Sequence, residues 1–307
     1  VYGVAPASSA NQTWLSSWSV SVDEPAKISG VMTDASTGAA LANKWVRMDP
    51  FNRWNSAWGT TNPIYRPAAV KTDATGSYTI GGVPGTHWAV MANLWDYRTD
   101  YTIWPIVPDA DYLLTQRSHW NPIAGVTTSG DLPLLRRDSA DHVTCDLSTE
   151  PTLEQGLFLR DCPQQSTATP PVTWYGNTEF ANVGGRGCRA IGLAASDAWM
   201  NFDVDTGFIP WDPADPYTGK PMVIEADIYD GGYDRYNLQL DTIFSSVTSL
   251  GYPIKNNTGA WQTLTWYRSD AKCNNTIKIE GPNTYIVDFR FGAMYADSQA
   301  PTGPDYI

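Results

Sequence analysis

The sequence predicts an all-β protein of two β-sandwich domains preceded by an extended, strand-forming N-terminal arm. Three observations carry that prediction. Gly 25, Pro 22, Trp 14 and Tyr 16 are plentiful, whereas charged residues make up 17%, below the ~25% of ordinary soluble domains. Turn formers and aromatics with little Lys or Glu suit strands and loops rather than helices. Short stretches of alternating apolar and polar residues recur between Gly- and Asp-rich turns, the period-2 signature of half-buried strands. Finally, 307 residues correspond to about two domains at roughly 150 residues each, enough to bury a sizeable core.

The arm spans residues 1–26. Within it Trp18-Ser19-Val20-Ser21-Val22 alternates strictly, with Trp18, Val20 and Val22 on one side and Ser on the other. Such a strand needs a ladder and a groove. An exposed sheet edge on a neighbouring subunit would supply both, and a head-to-tail contact of that kind builds filaments; pairing of the arm with its own first domain is the alternative.

Residues 27–107 carry three phrases in order: Lys27-Ile28-Ser29-Gly30-Val31-Met32-Thr33-Asp34 through Thr37-Gly38, then Thr72-Asp73-Ala74-Thr75-Gly76-Ser77-Tyr78-Thr79-Ile80, then Val83-Pro84-Gly85-Thr86-His87-Trp88. Each Asp-x-x-Gly is a turn between short strands. The wording resembles the carboxypeptidase-regulatory-like domains, small transthyretin-like (Ig-like) β-sandwiches. In that family the domain is a non-catalytic spacer or companion module. The segment between Val46 and Val70, with Trp54, Trp58 and Tyr65, departs from the family pattern as an insert.

Residues 108–171 form a loop-rich connector with a few short strands, closed by the Ser-, Thr- and Pro-rich run up to Pro171. The last segment, 172–307, alternates again at Trp199–Asp205, Met222–Asp230, Tyr236–Asp241 and Trp261–Trp266. Evenly spaced strands of this kind predict a sandwich or jelly roll. Gly184-Gly185-Arg186-Gly187-Cys188-Arg189, the run from Tyr229 to Asp241, and Asp288-Phe289-Arg290-Phe291 resemble the galactose-binding-like jelly rolls of secreted bacterial hydrolases and surface proteins. That resemblance implies a carbohydrate-binding or adhesive role. The chain stops at Asp305-Tyr306-Ile307, where such modules run on into a final strand, so an open sheet edge is expected there.

Charge and cysteines set the address. Lys+Arg 20 against Asp+Glu 32 gives a net charge of -12, which nucleic-acid phosphates would repel. No apolar run approaches the ~18 residues of a membrane span. Four cysteines allow three connectivities. Cys145–Cys162, closing a short loop, and Cys188–Cys273, within one domain, are the preferred pair. Asn-x-Ser/Thr sequons stand at Asn11, Asn256 and Asn274. All of this agrees with an extracellular or cell-surface protein.

No motif carries catalysis. There is no Gly-x-Ser-x-Gly, no zincin motif and no phosphate-cradling loop, and His87, His119 and His142 stand alone. Asp227, Asp230, Asp234 and Asp241 form a carboxylate cluster, but Tyr229-Asp230-Gly231-Gly232 is also what a tight turn demands. The chain is therefore expected to be non-catalytic and to require no cofactor. Asp203, Asp205, Asp212 and Asp215 offer oxygen ligands for a structural calcium, without EF-hand spacing. Sugar rings stack on exposed aromatics, which makes Trp54, Trp58, Trp211, Tyr217 and Tyr233 glycan-binding candidates. Arg235, Arg186 and Arg189 could bond sugar hydroxyls or pair with buried acids. Trp199 and Tyr236, at strand spacing, belong to the core.

Overall fold

The computed structural model describes residues 26–50, 68–82, 88–92, 111–120, 123–159, 178–191, 198–205, 208–209, 219–233, 235–245, 247–251, 253–273, 277–279, 285–294 and 305–307. Among them there is no helix; every regular element is a strand.

The first sandwich uses ten strands: β1 (Ala26–Asp34), β2 (Trp45–Pro50), β3 (Ala68–Lys71), β4 (Ser77–Gly82), β5 (Trp88–Ala92), β6 (Thr115–Trp120), β7 (Thr127–Ser129), β8 (Leu132–Leu134), β9 (Thr144–Asp146) and β10 (Thr152–Gln155). One sheet runs β4-β1-β7, with β8 also on β1, and the other runs β3-β2-β5-β6-β10-β9. Alternation along β1 buries Ala26, Ile28 and Met32 against Val46, Met48, Tyr78, Ile80, Leu132 and Leu134. The Asp-x-x-Gly phrase forms the predicted turn. Asp73 accepts from the amides of Thr75 at 2.8 Å and Ser77 at 3.0 Å. Gly76 sits at φ +75°, where a Cβ would also lie 2.6 Å from the Met32 carbonyl oxygen, so the turn requires glycine.

The stretch expected to be a connector supplies β6 to β10 to these sheets. It also supplies β11 (Leu157–Leu159), which enters the second half after a single intervening residue, Gly156. Its strands escape a period-2 reading because most are only three or four residues long.

The second half adds β12 (Thr178–Val183), β13 (Arg186–Ile191), β14 (Ala198–Val204), β15 (Lys220–Asp230), β16 (Arg235–Leu240), β17 (Thr248–Ser249), β18 (Ala260–Ala271), β19 (Ile277–Ile279), β20 (Tyr285–Val287), β21 (Phe289–Met294) and β22 (Asp305–Tyr306). A five-stranded sheet runs β11-β14-β21-β16-β17, a three-stranded one runs β12-β13-β22, and β15 and β18 pair as a long ribbon. Register places Phe291 between Met200 and Leu238, and Phe289 between Phe202 and Leu240, across the three strands β14, β21 and β16. This apolar face meets Ile228, Ala271 and the inward residues of the ribbon. The C-terminal residues pair with β13, where Arg189 and Ile307 exchange backbone bonds of 2.8 and 3.0 Å.

Candidate functional site

The ribbon presents two chemically different faces. Cross-strand partners Ile224 and Trp266, and Ala226 and Leu264, lie on the inner face and pack on the second core. The outer face carries the pairs Val223–Tyr267, Glu225–Thr265, Asp227–Thr263 and Tyr229–Trp261. Tyr267 is 66% exposed and Val223 59%, so an apolar patch stands in water at one end of the ribbon.

Next along the face is a row of oxygens. Thr263 Oγ1 donates to Asp227 at 2.6 Å and Arg186 Nη2 donates to the same carboxylate at 2.7 Å. The Thr263 hydroxyl first, then the guanidinium, hold the Asp227 carboxyl below its usual range. Arg186 also lies over the Trp261 ring, 4.7 Å from its centroid, while Trp261 Nε1 donates to the Val183 carbonyl at 3.2 Å. The ring is thus engaged by its neighbours, whereas Tyr267 is open.

The ribbon ends at Asp230, which is buried. Its carboxylate accepts from the amides of Asn256 at 2.7 Å, Asn257 at 3.2 Å and Thr258 at 3.2 Å, and from Thr258 Oγ1 at 2.7 Å and Gln262 Nε2 at 2.8 Å. Burial pushes its pKa up, but these donors outweigh it and the net shift is down. Asp227 and Asp230 have opposite parity on one strand and point to opposite faces of the ribbon. Asp241 is buried elsewhere, and Asp234 lies outside the described residues.

Other sequence candidates distribute as follows. Tyr233 is 60% exposed in the turn after the ribbon, and Arg235 is half-buried at the start of β16. Trp54, Trp58, Trp211, Tyr217, Asp212, Asp215, Cys162, Asn11 and Asn274, with Trp18, Val20 and Val22 of the arm, lie outside the described residues. Trp199 and Tyr236 are core, 4% and 1% exposed. Gly292 makes room for the indole, since a Cβ there would come 2.5 Å from the ring. Arg290 covers it at 4.3 Å. Arg189 is buried and donates to Thr152 Oγ1 at 3.3 Å.

Of the calcium candidates, Asp203 is buried on β14 and Asp205 is a structural tie. The latter accepts from the Leu114 amide at 3.0 Å and pairs with Arg137 at 3.5 Å. Among the described residues no three His, Cys, Asp or Glu side chains are grouped to hold a metal. Asn256 is exposed, as a glycan acceptor must be.

The expected disulfides need correction: Cys145, Cys188 and Cys273 are free thiols. Cys188, on β13, donates to the Ala181 carbonyl at 3.5 Å. Cys273, just past β18, is buried in the second core, where burial and then the charges of Asp288, Asp241 and Asp203 push its thiol well up. Spacing in the sequence suggested a bridge, but the two thiols serve separate elements.

A cleft of about 1090 Å³ opens beside the ribbon. One wall is the consecutive run 220–227 of β15 and the other is the run 141–148 through β9; Phe202, Val204, Leu238, Phe289 and Phe291 form an apolar floor. Both walls are sheet edges. Among the described residues β15 pairs only with β18, and β9 is the last strand of its sheet. Neither the open face of the ribbon nor this cleft is visible in the sequence, because both depend on which edges are left uncovered.

No known family model matches the sequence, and no curated protein matches it. Solved structures similar at low level include three bacterial proteins. A candidate carbohydrate-binding protein of Bacteroides uniformis shares 10% identity at TM-score 0.23, over 92% of this chain and 96% of that one. A DUF3823 family protein of the same organism shares 9% identity at TM-score 0.21, over 89% and 100%. A candidate membrane-associated protein of unknown function from Bacteroides fragilis shares 11% identity at TM-score 0.23, over 94% and 100%. Likeness at these scores carries no argument about fold or function.

Proposed function

We propose that the protein is a secreted, non-catalytic glycan-binding β-sandwich protein, and that the outer face of the β15–β18 ribbon holds the sugar. One observation supports this reading above the others. Tyr267, 66% exposed, stands beside a row of oxygens from Glu225, Thr265, Asp227 and Thr263 at strand spacing. A pyranose has an apolar C–H face for the ring and hydroxyls for the row. Tyr233 and Arg235 offer a second contact at the far end of the ribbon. The carboxylates act here as hydrogen-bond acceptors.

A glycan array of the intact protein, followed by titration calorimetry on any hit, tests the proposal. Tyr267→Ala should weaken binding about tenfold, roughly 1.4 kcal/mol, while thermal unfolding stays unchanged because the ring already faces water. An array without hits, or a Tyr267→Ala protein that binds like the parent, defeats it.

A second reading, a subunit of an extracellular assembly, is favoured by a different observation: the two sheet edges that wall the cleft, which no described strand covers.

A further inference from the structure

We infer that the cleft between β9 and β15 accepts a β-strand from a second copy of this chain, namely residues 14–22, so that copies join head to tail. The inference rests on the assembly reading and identifies both halves of the contact.

The walls are what a strand requires. Residues 220–227 present about 26 Å of edge at ~3.3 Å per residue, and β15 uses its other side for β18. Opposite it, β9 uses one side for β10. An inserted strand would ladder onto these edges, which no described strand pairs, the usual fate of an exposed edge. Its inward side chains would meet the half-buried apolar lining of Val143, Phe208, Met222 and Ile307.

The donor suits this site. Trp18, Val20 and Val22 share one face and Ser17, Ser19 and Ser21 the other; residues 1–22 contain no Asp, Glu, Lys, Arg or His. The cleft rim is mainly acidic, with Asp141, Asp146, Glu225 and Asp227 against Arg186 and Lys220. In a chain of net charge -12, a neutral strand avoids the repulsion an acidic one would meet.

The segment cannot fill its own cleft. Its last residue, Val22, is four Cα–Cα steps from Ala26, the start of β1, a span of at most about 14 Å. The cleft wall lies by the other end of β1, roughly 26 Å away along the strand. There Asp34 accepts from the Tyr112 hydroxyl at 3.0 Å, and Leu113 and Val143 both crowd Gly156.

Cys145 lines the cleft and packs on the core, which gives a direct test with the full chain. Sedimentation and negative-stain microscopy should show linear oligomers of the intact protein. Val20→Asp with Val22→Asp should weaken assembly about a hundredfold, because two carboxylates would enter an apolar floor, with the circular dichroism spectrum unchanged. Val20→Cys, mildly oxidised, should give a ladder of disulfide-linked species on a non-reducing gel. Adding Cys145→Ala should remove that ladder. If the intact protein stays monomeric at high concentration, the assembly reading itself is wrong. If it assembles but the aspartate variant still does so and no ladder forms, assembly uses another surface and the inference is wrong. An unrelated extended peptide that fills the cleft of a monomeric protein would likewise overturn the choice of occupant.

Discussion

At the scale of single residues, the most heavily bonded carboxylates hold turns. Asp34 accepts from the Ser36 amide and hydroxyl at 3.0 and 2.6 Å, the Thr37 amide at 3.0 Å and the Tyr112 hydroxyl at 3.0 Å. The Ser36 hydroxyl does most to hold its pKa well below the carboxylate range; burial works against it, and Thr37 and Tyr112 add to the lowering. Asp230 is lowered in the same sense by its five donors. A depressed folded pKa means that the unfolded chain binds more protons in mild acid. The stabilisation is therefore fully present above the ordinary value of about 4 and is lost as pH falls through the folded pKa. Urea midpoints should drop between about pH 5 and pH 2, and Asp34→Asn should lower the midpoint at neutral pH while flattening that fall. A parent midpoint indifferent to pH would show that these networks do not persist in solution. Asp230→Ala should cost about 2–3 kcal/mol, because buried amides lose their acceptor.

At the scale of elements, the ribbon separates two roles by parity alone. Phe291, 2% exposed, lies 5.3 Å from the Tyr236 ring and 5.8 Å from that of Trp266, centroid to centroid. Phe291→Ala should cost about 3–5 kcal/mol, whereas Tyr267→Ala should stay within about 0.5 kcal/mol of the parent; thermal melts of the two variants check this. Alternation at Lys27–Asp34, Met222–Asp230 and Trp261–Trp266 made β1, β15 and β18 legible beforehand, and Asp73-x-x-Gly76 made their kind of turn legible too. Which face meets water was not. Strand spacing places Trp199 in the core, yet only the fold shows that Gly292, some ninety residues later, makes room for its ring. Likewise the cleft joins runs at 141–148 and 220–227 that share no pattern. The cysteines illustrate the same limit, since spacing says how long a loop would be and nothing about where each thiol points.

At the scale of the whole molecule, the junction between the two halves is short and tied on several sides. β10 ends at Gln155 and β11 begins at Leu157, so one residue, Gly156, carries the chain from the first set of sheets into the second. The Gly156 amide donates to the Leu114 carbonyl at 2.9 Å, and its carbonyl accepts from the Asp205 amide at 2.8 Å. The Asp205 side chain reaches back to the Leu114 amide at 3.0 Å and to Arg137 at 3.5 Å. Two domains separated by a loose connector of some sixty residues would unfold independently, as domains with few shared contacts do. Here the strand ladder and the Asp205 bonds couple them, so calorimetry should give one cooperative transition whose van't Hoff and calorimetric enthalpies agree. Asp205→Ala removes the acceptor of a part-buried amide and the partner of Arg137, at a cost of about 1–3 kcal/mol. If the junction is the coupling element, that variant should broaden the transition or split it into two peaks rather than merely shift it. Two resolved transitions in the parent protein would show instead that the halves fold as separate units and that Asp205 only trims a loop.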